Sequence, residues 1–206
     1  MKLDISVNDF MVKQITEPKN ITPELAWILG VMCGDGCLEK YRNYYKVSMS
    51  TTNFNFGKKF IDTINKIFNL NEKFDTRLFV NNNNSKYYKI QIYSKQLYNF
   101  FRKFSSFRCA EWRVPAQILT GNNLIKQSFL RGFFDSDGSI NTYREKYKKI
   151  RAASINKKGL KEVLKLLNGL GITVNLIEEK NCYSLNIYRR NQINLFIDTI
   201  GFSFKG

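Results

Sequence analysis

The sequence predicts an α+β chain arranged as a tandem αββαββα repeat with two antiparallel sheets, and three observations carry that expectation. The first is a pair of similar stretches, Thr22 to Leu38 (TPELAWILGVMCGDGCL) and Asn122 to Ile140 (NNLIKQSFLRGFFDSDGSI). Each is an apolar, helix-like run that stops at Asp-Gly. The second is a repeated strand pattern, Tyr88-Lys-Ile-Gln-Ile-Tyr93 against Tyr183-Ser-Leu-Asn-Ile-Tyr188. At the same offset Asn99 falls on Asn194 and Phe101 on Phe196. The third is that alternating runs and amphipathic runs follow the two Asp-Gly stretches in the same order.

Taken in order, residues 1–21 are mixed and basic without a clear period and read as an N-terminal arm; residues 22–106 form the first half, 107–121 a linker and 122–206 the second half. The first helix has Thr22 as N-cap and Pro23 at N1. Tyr41 to Thr52 then alternates, with Arg42, Tyr44, Lys46, Ser48 and Ser50 on one side and Tyr45, Val47 and Met49 on the other. Phe60, Ile61, Ile64, Ile67 and Phe68 give Phe56 to Phe68 a core-facing helical stripe. Strands at Phe74–Val80 and Tyr87–Tyr93 flank the loop Asn81 to Ser85, and Gln96 to Phe104 reads as a helix. Arg108 to Leu119 connects the halves, with Pro115 near the start of a short helix.

The second half opens with Asn122 as the N-cap of a helix of about a dozen residues closed by glycine. A hairpin over Ser139–Ser154, a helix Lys158–Leu170 stopped by Gly171, strands at Val174–Glu178 and Tyr183–Tyr188, and a helix Asn191–Ile200 complete it. In Tyr87–Tyr93 the alternation turns Tyr88, Ile90 and Ile92 inward and Tyr87, Lys89, Gln91 and Tyr93 outward; Ser184, Asn186 and Tyr188 correspond in the second half. With Arg77, Lys149 and Arg151 on neighbouring strands, this outward set is chemically suited to phosphates and base edges.

Composition narrows the partner. Lys+Arg 33 against Asp+Glu 17 gives a net charge of +16, interleaved with abundant Tyr and Phe, which calls for a polyanion. There is no histidine, which excludes Ser-His-Asp hydrolysis, His-based general bases and the common His metal sites. The same absence speaks against a complete protein-splicing element, whose chemistry normally involves His and a terminal Asn; this chain begins with Met1 and ends Lys205-Gly206. Cys33, Cys37, Cys109 and Cys182 form no CxxC pair, so reduced core thiols rather than zinc are expected. No apolar run approaches about 18 residues and no signal-peptide core is present, so a soluble, intracellular protein without membrane contact is expected, cytoplasmic in a prokaryote or within an organelle.

The chemistry concentrates at the two Asp-Gly stops. Aligned there, Gly30 matches Gly132, Gly34 matches Ser136 and Asp35 matches Asp137. Small residues four apart lie on one helix face and let two backbones approach closely. Packing along those faces would set Asp35 beside Asp137, two carboxylates at two negative helix ends, an arrangement that calls for a divalent cation. An EF-hand reading fails, since its first and last slots hold Phe133 and Arg144.

The duplicated pattern, Ile28-Leu29-Gly30-Val31-Met32-Cys33-Gly34-Asp35-Gly36 and Leu130-Arg131-Gly132-Phe133-Phe134-Asp135-Ser136-Asp137-Gly138, resembles the LAGLIDADG motif of homing endonucleases, in the double-motif, monomeric, intron-encoded branch. The first copy departs at its sixth position, where Cys33 replaces the usual acid. The resemblance implies two motif helices at a pseudo-twofold interface and two curved sheets forming a DNA-binding saddle. It implies Asp35 and Asp137 as the catalytic, metal-binding acids, assisted by the carbonyls of Gly34 and Ser136, with Mg²⁺ or Mn²⁺ as cofactor. It further implies double-strand cleavage across the minor groove of a long, asymmetric target, leaving short 3′ overhangs, without an obligate protein partner. Peripheral basic residues would orient solvent, and by position Arg108 and Lys205 are the candidates. The alternatives on the same fold are a nuclease-dead relative, against which both acids persist, and an RNA-binding maturase whose partner would be intron RNA.

Overall fold

The computed structural model describes residues 15–70, 75–80, 86–143 and 147–204. Its first run of elements is α1 (Pro23–Gly34), β1 (Gly36–Tyr41), β2 (Tyr44–Thr51), α2 (Phe54–Phe68), β3 (Asp75–Val80), β4 (Lys86–Tyr93) and α3 (Lys95–Arg102). A short α4 (Ala116–Leu119) leads to the second run: α5 (Asn123–Asp137), β5 (Gly138–Tyr143), β6 (Tyr147–Ser154), α6 (Lys157–Gly169), β7 (Asn175–Glu178), β8 (Tyr183–Ile187) and α7 (Arg190–Thr199). The sheets are four-stranded and antiparallel, ordered β1-β2-β4-β3 and β5-β6-β8-β7. The same αββαββα order and the same strand order therefore occur twice.

Local chemistry accounts for the helix boundaries. Thr22 Oγ accepts from the Leu25 N–H at 3.2 Å, and Pro23 occupies the first turn, where a missing N–H costs nothing. Asn122 Oδ1 accepts from the Ile125 N–H at 3.0 Å and starts α5 in the same way. Leu25 through Cys33 are all buried, so α1 is apolar on every side, as a helix at the centre of a molecule must be. The other helices show one apolar stripe: Phe56, Phe60, Ile64 and Phe68 in α2, and Leu160, Val163, Leu166 and Leu167 in α6. One continuous core joins these stripes to the inner strand residues Val47, Met49, Ile90, Ile92, Ile150, Leu185 and Ile187.

The connection between the halves is fixed by specific contacts. Glu162 of α6 accepts from the Arg113 guanidinium and from the Val114 N–H at 2.9 Å. Trp112 lies over Gly159, where a Cβ would come within 3.0 Å of its ring.

Several expectations are corrected. The alternation starting at Tyr41 does not mark a single strand: the chain turns at Arg42, which has φ 49°, and residues 36–41 form β1. Gly138 does not close α5 in the left-handed conformation; it is extended (φ −82°, ψ 156°) and opens β5. What requires glycine there is space, because a Cβ would come within 3.0 Å of the Phe134 backbone. Gly36 meets Met32 in the same way. Ile15 and Ile21, assigned to the arm, pack on the core, while residues 1–14 and the loop at 81–85 lie outside the described residues. Of the four free cysteines only Cys33 is buried; Cys37 and Cys182 are half-buried and Cys109 is exposed. Among the described residues no helix is long and apolar enough to cross a membrane.

Candidate active site

The site begins where α1 and α5 cross. A Cβ on Gly30 would come within 3.0 Å of the Phe129 carbonyl oxygen, and one on Gly132 would meet the Trp27 carbonyl oxygen as closely. Each helix thus uses its glycine to admit the other's backbone. One turn on, a Cβ at Gly34 would lie 2.6 Å from Ser136 Cβ and 3.3 Å from the carboxyl carbon of Asp137. Ser136 Oγ turns back to donate to the Gly132 carbonyl at 2.8 Å. The crossing therefore carries both motif ends to one place, with Asp35 as the C-cap of α1 and Asp137 as the last residue of α5.

Neither helix has a basic residue in its last turn, so neither supplies a cation of its own at its negative end. The donors present are hard oxygens: two carboxylates and the C-terminal carbonyls, including those of Gly34 and Ser136. Among the described residues no three His, Cys, Asp or Glu side chains cluster as a dedicated metal cage. That sparse set fits Mg²⁺, which keeps several waters and takes phosphate oxygens alongside one or two carboxylates.

A cavity of about 390 Å³ opens beside Asp35, walled by Ser50, Thr51, Thr52, Asn53 and Tyr87 on one side and by Asp135, Ser136 and Phe204 on the other. Asp135, the sixth residue of the second motif, is 3% exposed. Its Oδ2 accepts from Trp27 Nε1 at 2.9 Å, and its Oδ1 accepts from the Ser203 N–H at 2.7 Å. It binds α1 and the C-terminal segment to α5. Lys59 joins this group, donating to Ser203 Oγ at 2.9 Å with its ammonium 4.5 Å from the Trp27 ring centroid. Burial holds the Lys59 pKa below its usual value, opposed by the Asp135 charge. In the first motif the sixth position is Cys33, whose thiol faces the Arg113 carbonyl at 3.8 Å. Burial raises the Cys33 pKa well above the ordinary thiol value, with the Asp137 charge adding to it, so it stays neutral.

The strand registers show which residues share a face. In the first sheet Lys46 pairs with Tyr93, Ser48 with Gln91 and Ser50 with Lys89, opposite a core face of Val47, Met49, Ile90 and Ile92, and the backbone of Arg77 pairs with that of Lys89. Tyr44 leads into the same row and is exposed, whereas Arg42 belongs to the β1–β2 turn. In the second sheet Arg151 pairs with Asn186 and lies two residues from Lys149, opposite a core face of Ile150, Leu185 and Ile187. Lys149 Nζ is 5.3 Å from the ring centroid of Tyr188, which is exposed.

Three residues expected to point freely outward do not. Ser48, Ser184 and Asn186 are 3%, 0% and 1% exposed. They lie on the polar faces but on the central strands β2 and β8, which have a neighbouring strand on each side. Two of the expected cations carry acidic partners that strand alternation alone does not show. Lys46 Nζ meets Glu39 at 2.7 Å, and this bond lowers the Glu39 pKa. Arg151 Nη2 meets Glu179 Oε2 at 2.7 Å.

The expected solvent-orienting cations fare differently. Arg108 has a 73% exposed side chain, pairs with Glu111 at 3.7 Å and is not among the residues lining the cavity at Asp35. Lys205 lies outside the described residues. Sequence reasoning missed the Trp27–Asp135–Lys59–Ser203 group. Its one legible signal was the acid at the sixth motif position.

With this geometry in hand, residues 125–201 match the LAGLIDADG-like domain family. Among relatives, the chain is 28% identical over 200 residues to the glutamine–fructose-6-phosphate aminotransferase of Methanocaldococcus jannaschii, covering 91% of this chain and 17% of that protein. It is also 28% identical over 160 residues to the ribonucleoside-diphosphate reductase NrdEB subunit alpha of Bacillus subtilis, covering 73% of this chain and 14% of that one. The chain thus spans a minor part of both relatives. Among solved structures, the homing endonuclease I-WcaI bound to its DNA recognition sequence superposes with TM-score 0.71 at 16% identity, over 96% of this chain and 90% of that one. I-DmoI in complex with DNA and Mn superposes with TM-score 0.63 at 24% identity, over 87% and 96%. I-DmoI structures with Ca and with Mg match as well. The match over residues 125–201 falls in the second half of the chain, and the chain as a whole has the fold of the LAGLIDADG homing endonucleases.

Proposed function

We propose that the chain is a divalent-metal-dependent endonuclease that recognises and cleaves a long, asymmetric site in double-stranded DNA. One observation carries this reading: the glycine-faced crossing of α1 and α5 brings the Asp35 and Asp137 ends together between two sheets whose polar faces hold Lys46, Lys89, Lys149 and Arg151. The relatives support a module of independent activity, since an aminotransferase and a reductase share no chemistry, and each matches over a small part of its length.

In this reading the sheet faces bind the duplex along its phosphates and base edges. Asp35 and Asp137, with the carbonyl oxygens of Gly34 and Ser136, would hold Mg²⁺ or Mn²⁺. A bound cation would supply water activation and neutralise charge on the scissile phosphate and the leaving oxygen. The crossing helices keep the two carboxylates in place, each serving one strand across the minor groove, so that staggered cuts leave short 3′ overhangs. The hydroxyls of Ser50, Thr51 and Thr52 line the cavity beside Asp35 and would hold solvent at that end. Lys205 follows the segment that Asp135 anchors and is our candidate for orienting solvent.

The test uses purified protein, a duplex library and Mg²⁺. Wild type should cut both strands of a selected target, and chelation should stop it. Asp35→Asn and Asp137→Asn should each lose double-strand cleavage while still binding the target, because the carboxylates hold metal and the strands hold DNA. Undiminished cleavage by the double variant would sink the assignment.

A further inference from the structure

On the polar face of the second sheet, four residues form a directed chain of hydrogen bonds. Asn186 Nδ2 donates to Ser184 Oγ at 2.8 Å, and Ser184 Oγ donates to Glu179 Oε1 at 2.5 Å. Arg151 Nη2 donates to the other oxygen, Glu179 Oε2, at 2.7 Å. Asn186 and Ser184 are buried, so the chain starts from fixed side chains and ends at the guanidinium, which is part-exposed at 28%. Among the described residues the buried Asn186 Oδ1 atom has no hydrogen-bond partner, and Asn186 sits directly across the strand pair from Arg151.

An arginine whose task is to neutralise phosphate gains nothing from a carboxylate beside it. Ser184 first, and Arg151 second, pull the Glu179 pKa down to about 2, so the carboxylate is charged at any working pH and would repel a phosphate. The pair carries no net charge and adds little to sequence-independent attraction. Its effect is geometric. One of five N–H donors is held, which tethers one end of the guanidinium, and among the described residues the others make no hydrogen bond. A planar fork held in this way matches the O6 and N7 acceptors of guanine in the major groove.

We propose that Arg151 reads one guanine of the target duplex and that Glu179, braced by Ser184 and Asn186, is the positioning residue that sets its guanidinium. On this view Ser184 and Asn186 form the platform under the reader and are not themselves base contacts. The first sheet holds Ser48 at the matching position and has no such chain among the described residues, so the two half-sites would be read differently. The inference rests on the DNA-target reading above.

The test is binding selection of the full chain on a randomised duplex library in Ca²⁺, followed by single-base-pair substitutions in the selected site. Arg151→Lys keeps the charge and loses the fork. It should lower the preference for guanine at one base pair about tenfold, leaving the other positions and the salt dependence unchanged. Glu179→Gln should relax the preference at that same base pair by a smaller factor, leaving the preferences at the other base pairs unchanged. A purely structural role would instead weaken every position together. An unchanged Arg151→Lys profile, or a Glu179→Gln effect at another base pair, overturns the proposal. If wild type enriches no sequence at all, the DNA-target reading itself fails and this inference fails with it.

Discussion

At the scale of single residues, two acids two positions apart in one motif sit in different surroundings. Asp137 ends α5 at the helix crossing, while Asp135 is sealed inside and spends both oxygens on protein N–H groups. Asp135→Ala should leave the Trp27 indole and the Ser203 amide without their acceptor and cost about 3 kcal/mol of stability, measured by urea unfolding. A loss below about 0.5 kcal/mol would mean that those bonds do not hold the C-terminal segment. Glu179 gives a pH-dependent prediction. Its folded-state pKa, about 2, lies below the ordinary carboxylate value, so its stabilisation is present above that ordinary range and is lost as pH falls toward about 2. The melting-temperature difference between wild type and Glu179→Gln should therefore be flat from pH 7 to 5 and change below it. A difference that instead varied between pH 5 and 7 would show that another group is titrating.

At the scale of elements, the α1–α5 crossing is set by what is missing from two side chains. Gly30→Ala and Gly132→Ala each place a methyl group against backbone, which cannot move aside as a side-chain end can. Each should destabilise by about 3 kcal/mol or more and spread the two motif ends apart. Gly169, at the end of α6, has open space on that side: a methyl group there would meet nothing within 4 Å. Gly169→Ala should therefore be neutral or stabilise by up to about 1 kcal/mol. Chemical unfolding of the three variants decides this. Equal effects at positions 30, 132 and 169 would show that helix propensity, not close approach, governs them. The strands teach a related point. Alternation sorts Val47 from Ser48 and Leu185 from Ser184, but not an exposed polar residue from a covered one, because cover comes from adjacent strands.

At the scale of the whole molecule, charge and duplication act together. A chain with net charge +16 and polar faces on two sheets should contact about 6–10 phosphates, so target affinity should fall roughly 10³–10⁵-fold between 50 and 200 mM salt. A flat log–log plot from filter binding or fluorescence anisotropy would mean that the sheets are not the binding surface. Duplication is not identity. Asp135 corresponds to Cys33 in the motif alignment, and Arg151 corresponds to Ser48 in the sheets, so the two halves present different groups to the two ends of a target.

The repeat, the element order, the caps at Thr22 and Asn122 and the pairing of Gly30 with Gly132 were determined by the sequence itself. Each depends on spacing along one chain, or on a residue type whose local geometry is fixed. Tertiary structure alone decided that Asp135 anchors while Asp137 stands at the crossing, that Lys59 reaches Trp27 and Ser203, and that Glu179 holds Arg151. Those relations join residues up to 144 positions apart, and periodicity carries no information about which distant side chain fills the space beside a given one. Burial of Ser184 and Asn186 was hidden for the same reason: alternation assigns a face, and only the neighbours packed on that face decide what reaches solvent.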